Sequence, residues 1–585
     1  MAVSIRLRMP KYDVMTTRIT TAVIAGAVSS GAALLMLETA AAPLLEADLI
    51  MHGGEIYTPN GWAEGMAVQD GVIIAVGNQT DVDAYRTQQT QVIDLDGAAV
   101  LPGLHDMHVH PMGAGLAQLQ CQFSQGSTRE QIVAAVEACA AQRADGEWIV
   151  GGQWEATSFG AEPMDRAILD RVAPNNPVSL VDISGHSLWV NSRALEVAGI
   201  TATTPDPPGG IIERDGDGRA TGVLRESAGG LVRRLIPPTT ERQALQALRW
   251  SLDQMLSHGI TSFTDAVVGE MALQAYARLA DQGLLKQRVT ACMTGAFGSG
   301  DAGLPDYLEY RNLYARDRLS PTCVKLLLDG VPTDGHTAAM VEPYADAEGS
   351  GERDRGLLMM PPDALNALVT RLDALGLTVK MHAAGDAAVR AGLDAIEAAR
   401  EANGFSGLLH DVAHNSFVQM DDIRRARDIA ATFEMSPYIW YPNPIIPDIV
   451  KAVGAQRMQR WIPLKDAIDA GALVVPGSDW SVVPSVNPWI AIETLVTRRA
   501  PGGTGEALGA SQRISLEQAI DLFTVNSARQ RNRRHELGTI ETGMLADLVV
   551  VERNPFEIPI TEVHQTKVLM TLVEGEVLYR AADTL

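Results

Sequence analysis

The sequence has few cysteines and few basic residues for its length of 585 residues. It contains four cysteines, and none of them forms a Cys-x-x-Cys pair, which argues against a thiolate zinc site. Lys and Arg total 47 against 71 Asp and Glu, so the formal net charge is −24. A surface that binds nucleic acid needs a basic face to neutralise phosphates, so we expect no nucleic-acid partner.

The four cysteines fall into two groups. Cys292 and Cys323 lie in apolar, strand-like runs, where we expect plain buried thiols. Cys121 and Cys139 could form a disulfide bond only in an oxidising compartment, and the sequence leaves that pairing open.

A long apolar stretch occurs only near the N-terminus. Basic residues precede the apolar run 19–37, and small residues follow it. This order is typical of an export signal, so we expect residues 1–43 to be a signal-like segment and the protein to be periplasmic or secreted. A membrane anchor, a flexible tail and a cytoplasmic location are the alternatives. No other stretch is long and apolar enough to cross a membrane, so we expect no stable membrane span after signal removal.

Short alternating runs separated by turn residues mark both ends of the mature sequence. We expect segments 44–101 and 536–585 to meet in one composite β-sandwich. Between them, β-branched runs alternate with helical patterns, which predicts an α/β fold for residues 102–535, a (β/α)8 TIM barrel. The segment 111–249, after the first strand, is predicted to be an insertion that forms a lid or substrate wall. The predicted barrel strands are Leu101–His110, Gly259–Ala266, Arg288–Thr294, Cys323–Asp329, Leu377–His382, Leu409–His414, Ala430–Met435 and Leu473–Asp479.

Polar residues stand in several of these strands, mostly at their carboxyl ends. His108 and His110 are two residues apart, so on a strand they point the same way, roughly 6.6 Å apart, and can reach one metal ion. Such a pair is a weak signal alone, but barrel enzymes keep their active sites at these strand ends. A lysine within an apolar strand is also costly unless it is paired or chemically altered. The later residues of this kind are Lys325, His382, His414 and Asp479.

This pattern resembles the amidohydrolase superfamily, and within it amidohydrolase family 3, the group that includes N-substituted formamide deformylases. The resemblance runs from about Ala47 to the C-terminus. Its most specific strings lie in the predicted insertion, and they are Gly152–Trp154, Gly185–Leu195, Pro208–Ile212 and Gly222–Glu226.

The resemblance implies one or two divalent metal ions, with zinc as the first choice and iron or manganese left open. Two ions that share a water molecule lower its pKa toward neutrality. Asp479 would then act as the catalytic proton shuttle as well as a ligand. The implied ligands are His108 and His110 for one ion, His382 and His414 for a second, Lys325 as a bridging carboxylated lysine, and Asp479.

The sequence departs from the family just before His414. Many relatives carry Ile-Glu there, whereas this chain has Val412 and Ala413, so we expect a carboxylate beside the metal ligands to be missing. His105 replaces an apolar residue, and we expect it either to hydrogen-bond to a metal ligand or to pack in the core. Glu226 is an alternative ligand to Lys325.

Three residues are candidates for substrate binding. Trp154 and His186 lie in the predicted insertion, and His336 lies in the loop that follows Lys325. For His186 a packing role is the alternative.

The favoured function is hydrolysis of a C–N bond in an N-substituted amide or formamide by a metal-activated hydroxide, with a small molecule as substrate. An ester, lactone or cyclic amide is the first alternative, because the same nucleophile attacks any activated carbonyl. Deamination is less favoured, since His382 is followed by Ala-Ala-Gly-Asp without the glutamate that superfamily deaminases place there. A barrel that binds a ligand without catalysis would hold no stoichiometric metal. The oligomeric state is left open, a homo-oligomer included.

Overall fold

The structure is a computed structural model, and it describes residues 46–124, 126–154, 159, 164–182, 187–207, 210–294, 304–333, 335–346, 354–436 and 445–582. The strands are β1 (Leu49–Thr58), β2 (Gly61–Gln69), β3 (Val72–Gly77), β4 (Gln91–Asp94), β5 (Ala99–Pro102), β6 (Leu104–Val109), β7 (Ile149–Trp154), β8 (Val178–Asp182), β9 (Ser187–Val190), β10 (Gly210–Arg214), β11 (Ala220–Glu226), β12 (Ile260–Val268), β13 (Arg288–Met293), β14 (Leu319–Leu327), β15 (Thr378–Ala383), β16 (Asp411–His414), β17 (Thr432–Met435), β18 (Leu473–Pro476), β19 (Leu548–Val551), β20 (Val568–Val573) and β21 (Glu576–Arg580).

The helices are α1 (Gln79–Asp83), α2 (Pro111–Gln118), α3 (Arg129–Ala140), α4 (Arg166–Asp170), α5 (Ser192–Ala198), α6 (Gly230–Arg233), α7 (Glu241–Ser257), α8 (Glu270–Asp281), α9 (Leu304–Tyr314), α10 (Pro362–Ala374), α11 (Asp386–Asn403), α12 (Met420–Ala426), α13 (Ile446–Val453), α14 (Ala455–Met458), α15 (Leu464–Asp469), α16 (Pro488–Thr497), α17 (Leu516–Asp521) and α18 (Ser527–Gln530). Among the described residues, none of the helices combines the length and the apolar character that a membrane span requires.

Eight parallel strands form a nearly closed (β/α)8 barrel, in the order β6, β12, β13, β14, β15, β16, β17, β18. A parallel bridge between Val109 and Trp480 joins the first strand to the segment after the last one. The predicted barrel is therefore confirmed. The first predicted strand, Leu101–His110, is interrupted at Gly103: Leu101 and Pro102 belong to β5 in another sheet, and β6 begins at Leu104. An added Cβ at Gly103 would lie 2.4 Å from the Thr261 hydroxyl, so the chain passes close to β12 at this point.

Helix α7 shows how the sequence builds the outer layer of the barrel. The Thr240 hydroxyl accepts from the Gln243 N–H, and the Gln243 side chain accepts from the Thr240 N–H, which fixes the start of the helix. Apolar residues at helical spacing, such as Leu248 and Leu252, are buried in the main core. Through this face α7 packs against β12.

Strands from both ends of the chain share one sheet, in the order β21, β20, β19, β5, β1, β2, β3, with β4 paired to β1. The first half of β1 pairs with β4 and the second half with β5, so the two end segments form one sheet that is continuous through its hydrogen bonds. Leu548 and Val550 of β19 belong to the core of this sheet, whereas Val549 belongs to the barrel core. Successive side chains of β19 point to opposite faces, so this one strand packs against both the core of the sheet and the core of the barrel.

The insertion after β6 has a sheet of its own, in the order β10, β11, β9, β8, β7. Its strands and helices enclose two small apolar clusters that are separate from the barrel core. Trp189 is fully buried in one of them. The segment is therefore a folded unit and not a simple loop.

Two disulfide bonds are present, Cys121–Cys139 and Cys292–Cys323. The expectation that Cys292 and Cys323 are plain thiols is wrong. The two residues are direct partners on the adjacent parallel strands β13 and β14, with their Cα atoms 4.2 Å apart. The strand pattern of the sequence places each cysteine in the core, but it does not say which residue lies opposite.

We predict that iodoacetamide labels none of the four cysteines in the denatured, unreduced protein, because all four are in disulfide bonds. After reduction, mass spectrometry should find all four alkylated. A Cys121→Ser/Cys139→Ser variant is the matched control, and it should also carry no free thiol before reduction. Labelling of Cys292 and Cys323 without reduction would contradict the bond between β13 and β14.

Candidate metal centre

Four histidines lie side by side at the carboxyl ends of the barrel strands. His108 and His110 come from the end of β6, and His382 and His414 from the ends of β15 and β16. The ring centroids are 5.3 Å apart for His108 and His110, 4.7 Å for His108 and His414, and 4.5 Å for His382 and His414. The structure therefore brings all four predicted histidine ligands into one row.

Asp479 and Lys325 complete this cluster. The Asp479 Oδ1 atom lies 3.0 Å from the His110 Nε2 atom and 3.6 Å from the His108 Nε2 atom. The Asp479 backbone N–H donates to the His108 carbonyl at 2.7 Å, which ties the segment after β18 to the end of β6. The Lys325 Nζ atom is 3.2 Å from the His108 Nε2 atom. Both side chains thus face the same ring nitrogen.

Burial sets the protonation of the cluster. It lowers the pKa of His108 and of His414 well below the usual value, and that of His382 to about 4. Burial and then the charge of Lys380 lower the pKa of Lys325 to about 8. At neutral pH these three imidazoles are therefore neutral, which is the form that binds a metal ion.

The donor atoms suit a divalent cation. Ligand atoms of His108, His110 and Asp479 all lie within 4.8 Å of one another. Imidazole nitrogens and a carboxylate oxygen are donors that Zn²⁺ and related ions accept. The residues present fit the metal ion that the resemblance implies.

Three further charged residues inside the barrel were not singled out from the sequence. The Glu434 Oε2 atom lies 2.5 Å from the His108 Nδ1 atom, and the Lys380 ammonium lies 2.8 Å from the Asp411 carboxylate and 3.8 Å from Glu434. Burial raises the pKa of Glu434, whereas the positive charge of Lys380 acts in the opposite direction and favours the carboxylate. Each of these residues is the only charged residue in an apolar strand. The same criterion identified Lys325, and applied to every strand it would have identified these three residues as well.

Glu434 also corrects an expectation. The alanine before His414 predicted that a carboxylate is missing beside the metal ligands. Ala413 is the direct partner of Glu434 in the pairing of β16 with β17. The carboxylate is therefore present, but it comes from the neighbouring strand, which the sequence around His414 could not reveal.

Asp329 is another functional candidate that the sequence analysis missed. Its carboxylate accepts backbone N–H groups from Ala339, Ala384 and Gly385 at 2.9, 3.0 and 2.8 Å. It also lies 3.7 Å from the His382 Nε2 atom. Asp329 thus joins the loop after β14 to the loop after β15 beside a predicted ligand.

His105 is buried, and its Nδ1 atom has no hydrogen-bond partner among the described residues. Burial and then the charges of Arg531 and Arg288 lower its pKa. Of its two expected roles, these surroundings favour packing in the core.

The candidate substrate residues lie in different environments. Trp154 is buried in the core of the insertion, and its indole N–H donates to the Leu180 carbonyl at 2.9 Å. The ring nitrogens of His336 lie 2.6 Å from Asp354 and 2.9 Å from Asp346. His186 and the Glu226 side chain lie outside the described residues, so their roles stay predictions.

The chain matches the family model described as "Amidohydrolase family" over residues 91–579. It is 29% identical to the Bacillus subtilis (strain 168) protein YtcJ, over 91% of this chain and 99% of that protein. It is 27% identical to the N-substituted formamide deformylase of Arthrobacter pascens, over 91% and 98% of the two chains. An uncharacterized metal-dependent hydrolase from Pyrococcus furiosus is 26% identical, with a TM-score of 0.69 over 87% of this chain and 100% of that one.

This chain therefore belongs to the amidohydrolase family. It is a hydrolase acting on carbon–nitrogen bonds, and its family is metal-dependent.

We predict that a His108→Ala/His110→Ala variant folds but loses bound metal, because two imidazoles at one ligand cluster are removed together. A bound metal ion contributes several kcal/mol of transition-state stabilisation, so activity should fall at least about a thousandfold. Metal analysis, circular dichroism and turnover measure these effects. His535→Ala is the control, since the His535 side chain is 74% exposed. A double variant that keeps its metal and its activity would refute the assignment.

Proposed function

We propose that this protein hydrolyses the C–N bond of an N-substituted amide or formamide. The observation that carries this proposal is the position of Asp479, whose Oδ1 atom faces the Nε2 atoms of both His108 and His110. The likeness to a relative named N-substituted formamide deformylase supports this substrate class.

The residues of the cluster have separate tasks. His108, His110, His382 and His414 would hold one or two divalent ions, with zinc proposed for its affinity for imidazole. An ion bound there would supply Lewis acidity, polarising the carbonyl oxygen of a substrate and lowering the pKa of a water molecule. Burial lowers the pKa of His108, His382 and His414 and keeps their rings neutral, so these three rings add no positive charge.

Asp479 is proposed to move the proton. Its carboxylate accepts a proton from the attacking water as the new carbon–oxygen bond forms. It then returns that proton to the leaving nitrogen as the carbon–nitrogen bond breaks, so that a neutral amine departs. An amide needs this second step because an unprotonated nitrogen is a poor leaving group. The hydrogen bond from the Asp479 N–H to the His108 carbonyl fixes the carboxylate beside the ligands.

Lys325 is proposed to be carboxylated. Its neutral amine would attack carbon dioxide, form a nitrogen–carbon bond and release a proton, which leaves an anionic carbamate. The Lys325 Nζ atom lies 3.2 Å from the His108 Nε2 atom, which is the proposed metal-binding atom of that ring. An ammonium group at Lys325 would therefore repel a cation bound there, because like charges repel. The second lysine, Lys380, already has a carboxylate partner in Asp411.

Export is proposed as the location. The basic and apolar pattern of residues 1–43 and the two disulfide bonds both fit an oxidising compartment. Cell fractionation against a cytoplasmic marker checks this, and a purely cytoplasmic protein would contradict it.

We expect purified protein to contain one or two equivalents of a divalent metal and to hydrolyse N-formyl or N-acyl amines in a screen that includes esters, lactones and ring amines. A chelator should abolish turnover, and added metal should restore it. Faster turnover of esters or lactones would favour the alternative substrates. Protein without stoichiometric metal, unaffected by chelator, would contradict the proposal.

We predict that Lys325→Ala lowers turnover by at least about a hundredfold, because the outer positions of a metal site already account for 10- to 100-fold effects. A short carboxylate such as propionate should restore part of the activity by occupying the space of the carbamate. Lys567→Ala, at a 70% exposed side chain, is the control. Normal turnover of Lys325→Ala would remove the carbamate from the proposal.

A further inference from the structure

Glu434 is linked to the Nδ1 atoms of two of the candidate ligand histidines. Its Oε2 atom lies 2.5 Å from the His108 Nδ1 atom. Its Oε1 atom accepts a hydrogen bond from the Ser436 hydroxyl at 3.3 Å, and that hydroxyl oxygen is 3.0 Å from the His414 Nδ1 atom. One carboxylate thus reaches His108 directly and His414 through one hydroxyl.

These contacts determine which nitrogen of each ring carries the proton. The carboxylate accepts from the Nδ1–H of His108, so the His108 Nε2 atom keeps its lone pair. The Ser436 hydroxyl gives its hydrogen to Glu434, so its oxygen accepts from the Nδ1–H of His414. Both rings are therefore held in the tautomer whose Nε2 atom can bind a metal ion, and a carboxylate partner also makes such a ligand more basic.

We propose that Glu434, with Ser436, is a positioning residue that sets the tautomer and the orientation of His108 and His414 for metal binding. The proposal rests on the metal site described above, but not on the identity of the substrate.

The space around Glu434 supports this role. Its side chain is fully buried, and Gly477 lies against it. A Cβ added at Gly477 would lie 2.4 Å from the Glu434 Oε1 atom and 2.4 Å from the His108 Cβ atom. Only a glycine therefore leaves room for the carboxylate and the imidazole at this point.

The strand register explains how the carboxylate reaches both rings. Glu434 and Ala413 are direct partners on parallel strands, so their side chains point to the same face of the barrel sheet. His382 is the partner of Ala413 on the other side. A carboxylate at position 434 therefore occupies the same layer of the barrel interior that one at position 413 would occupy, with Lys380 beside it at 3.8 Å.

The first test is the affinity of the metal-free protein for zinc, measured by competition with a chromogenic chelator. Glu434→Gln keeps the volume but loses the charge, and we expect its Kd for zinc to rise about 10- to 100-fold. Ser436→Ala removes only the link to His414, so its Kd should rise less. The matched control is Glu493→Gln, because Glu493 is also fully buried and its Oε2 atom lies 2.6 Å from the Nδ1 atom of His564, outside the cluster.

The second test moves the carboxylate. Glu434→Ala should weaken zinc binding, and the Ala413→Glu/Glu434→Ala variant should recover a part of that loss, which a purely structural role of Glu434 would not produce. Thermal unfolding of each metal-free variant separates stability from affinity. A wild-type Kd in Glu434→Gln, an equal loss in Glu493→Gln, or no recovery in the relocated variant would overturn the proposal. Weakened zinc binding in a protein that hydrolyses no amide would support Glu434 and contradict the proposed function.

Discussion

The interior of the barrel contains charges that must be paired, and the side chains of the candidate metal centre depend on that pairing. Lys325, Lys380, Asp411 and Glu434 are all nearly or fully buried. An isolated buried charge costs several kcal/mol, so each group needs an opposite charge or a hydrogen bond nearby. Direct register puts Lys380 beside Asp411, with which it forms an ion pair. It also puts Lys325 beside Lys380, and burial together with this like charge lowers the pKa of Lys325. The candidate ligand histidines lie in the next layer of side chains in the barrel interior, so this arrangement determines which charged groups lie beside them.

Closure of the barrel brings the first and last ligands together. The Asp479 N–H donates to the carbonyl of His108, and the His110 N–H donates to the carbonyl of Trp480. Asp106 adds a further hydrogen bond between β6 and the segment after β18, because its Oδ1 atom accepts from the backbone N–H of Ser478 at 3.0 Å. Residues about 370 positions apart therefore meet because the sheet closes, and the site would not exist in an open sheet.

Much of this could be predicted from the sequence, because it depends on local pattern. The alternation of strand-like runs with helical patterns predicted the eight barrel strands. A His-x-His pair with polar residues at later strand ends predicted the candidate ligands that the structure brings together. The rest depends on which residues lie opposite each other. The bond between Cys292 and Cys323 and the contact of Glu434 with His108 both arise from such long-range neighbours. Strand patterns read along the chain do not contain that information.

We propose that side chains from distant strands hold a cation at the mouth of the barrel. A crystal structure of purified protein, with an anomalous difference map measured at the metal absorption edge, tests it most directly. We expect an anomalous peak within about 2.0–2.2 Å of the Nε2 atoms of His108 and His110 and of an Asp479 oxygen. A peak elsewhere, or a metal ion coordinated by the Nδ1 atom of His108, would contradict this arrangement.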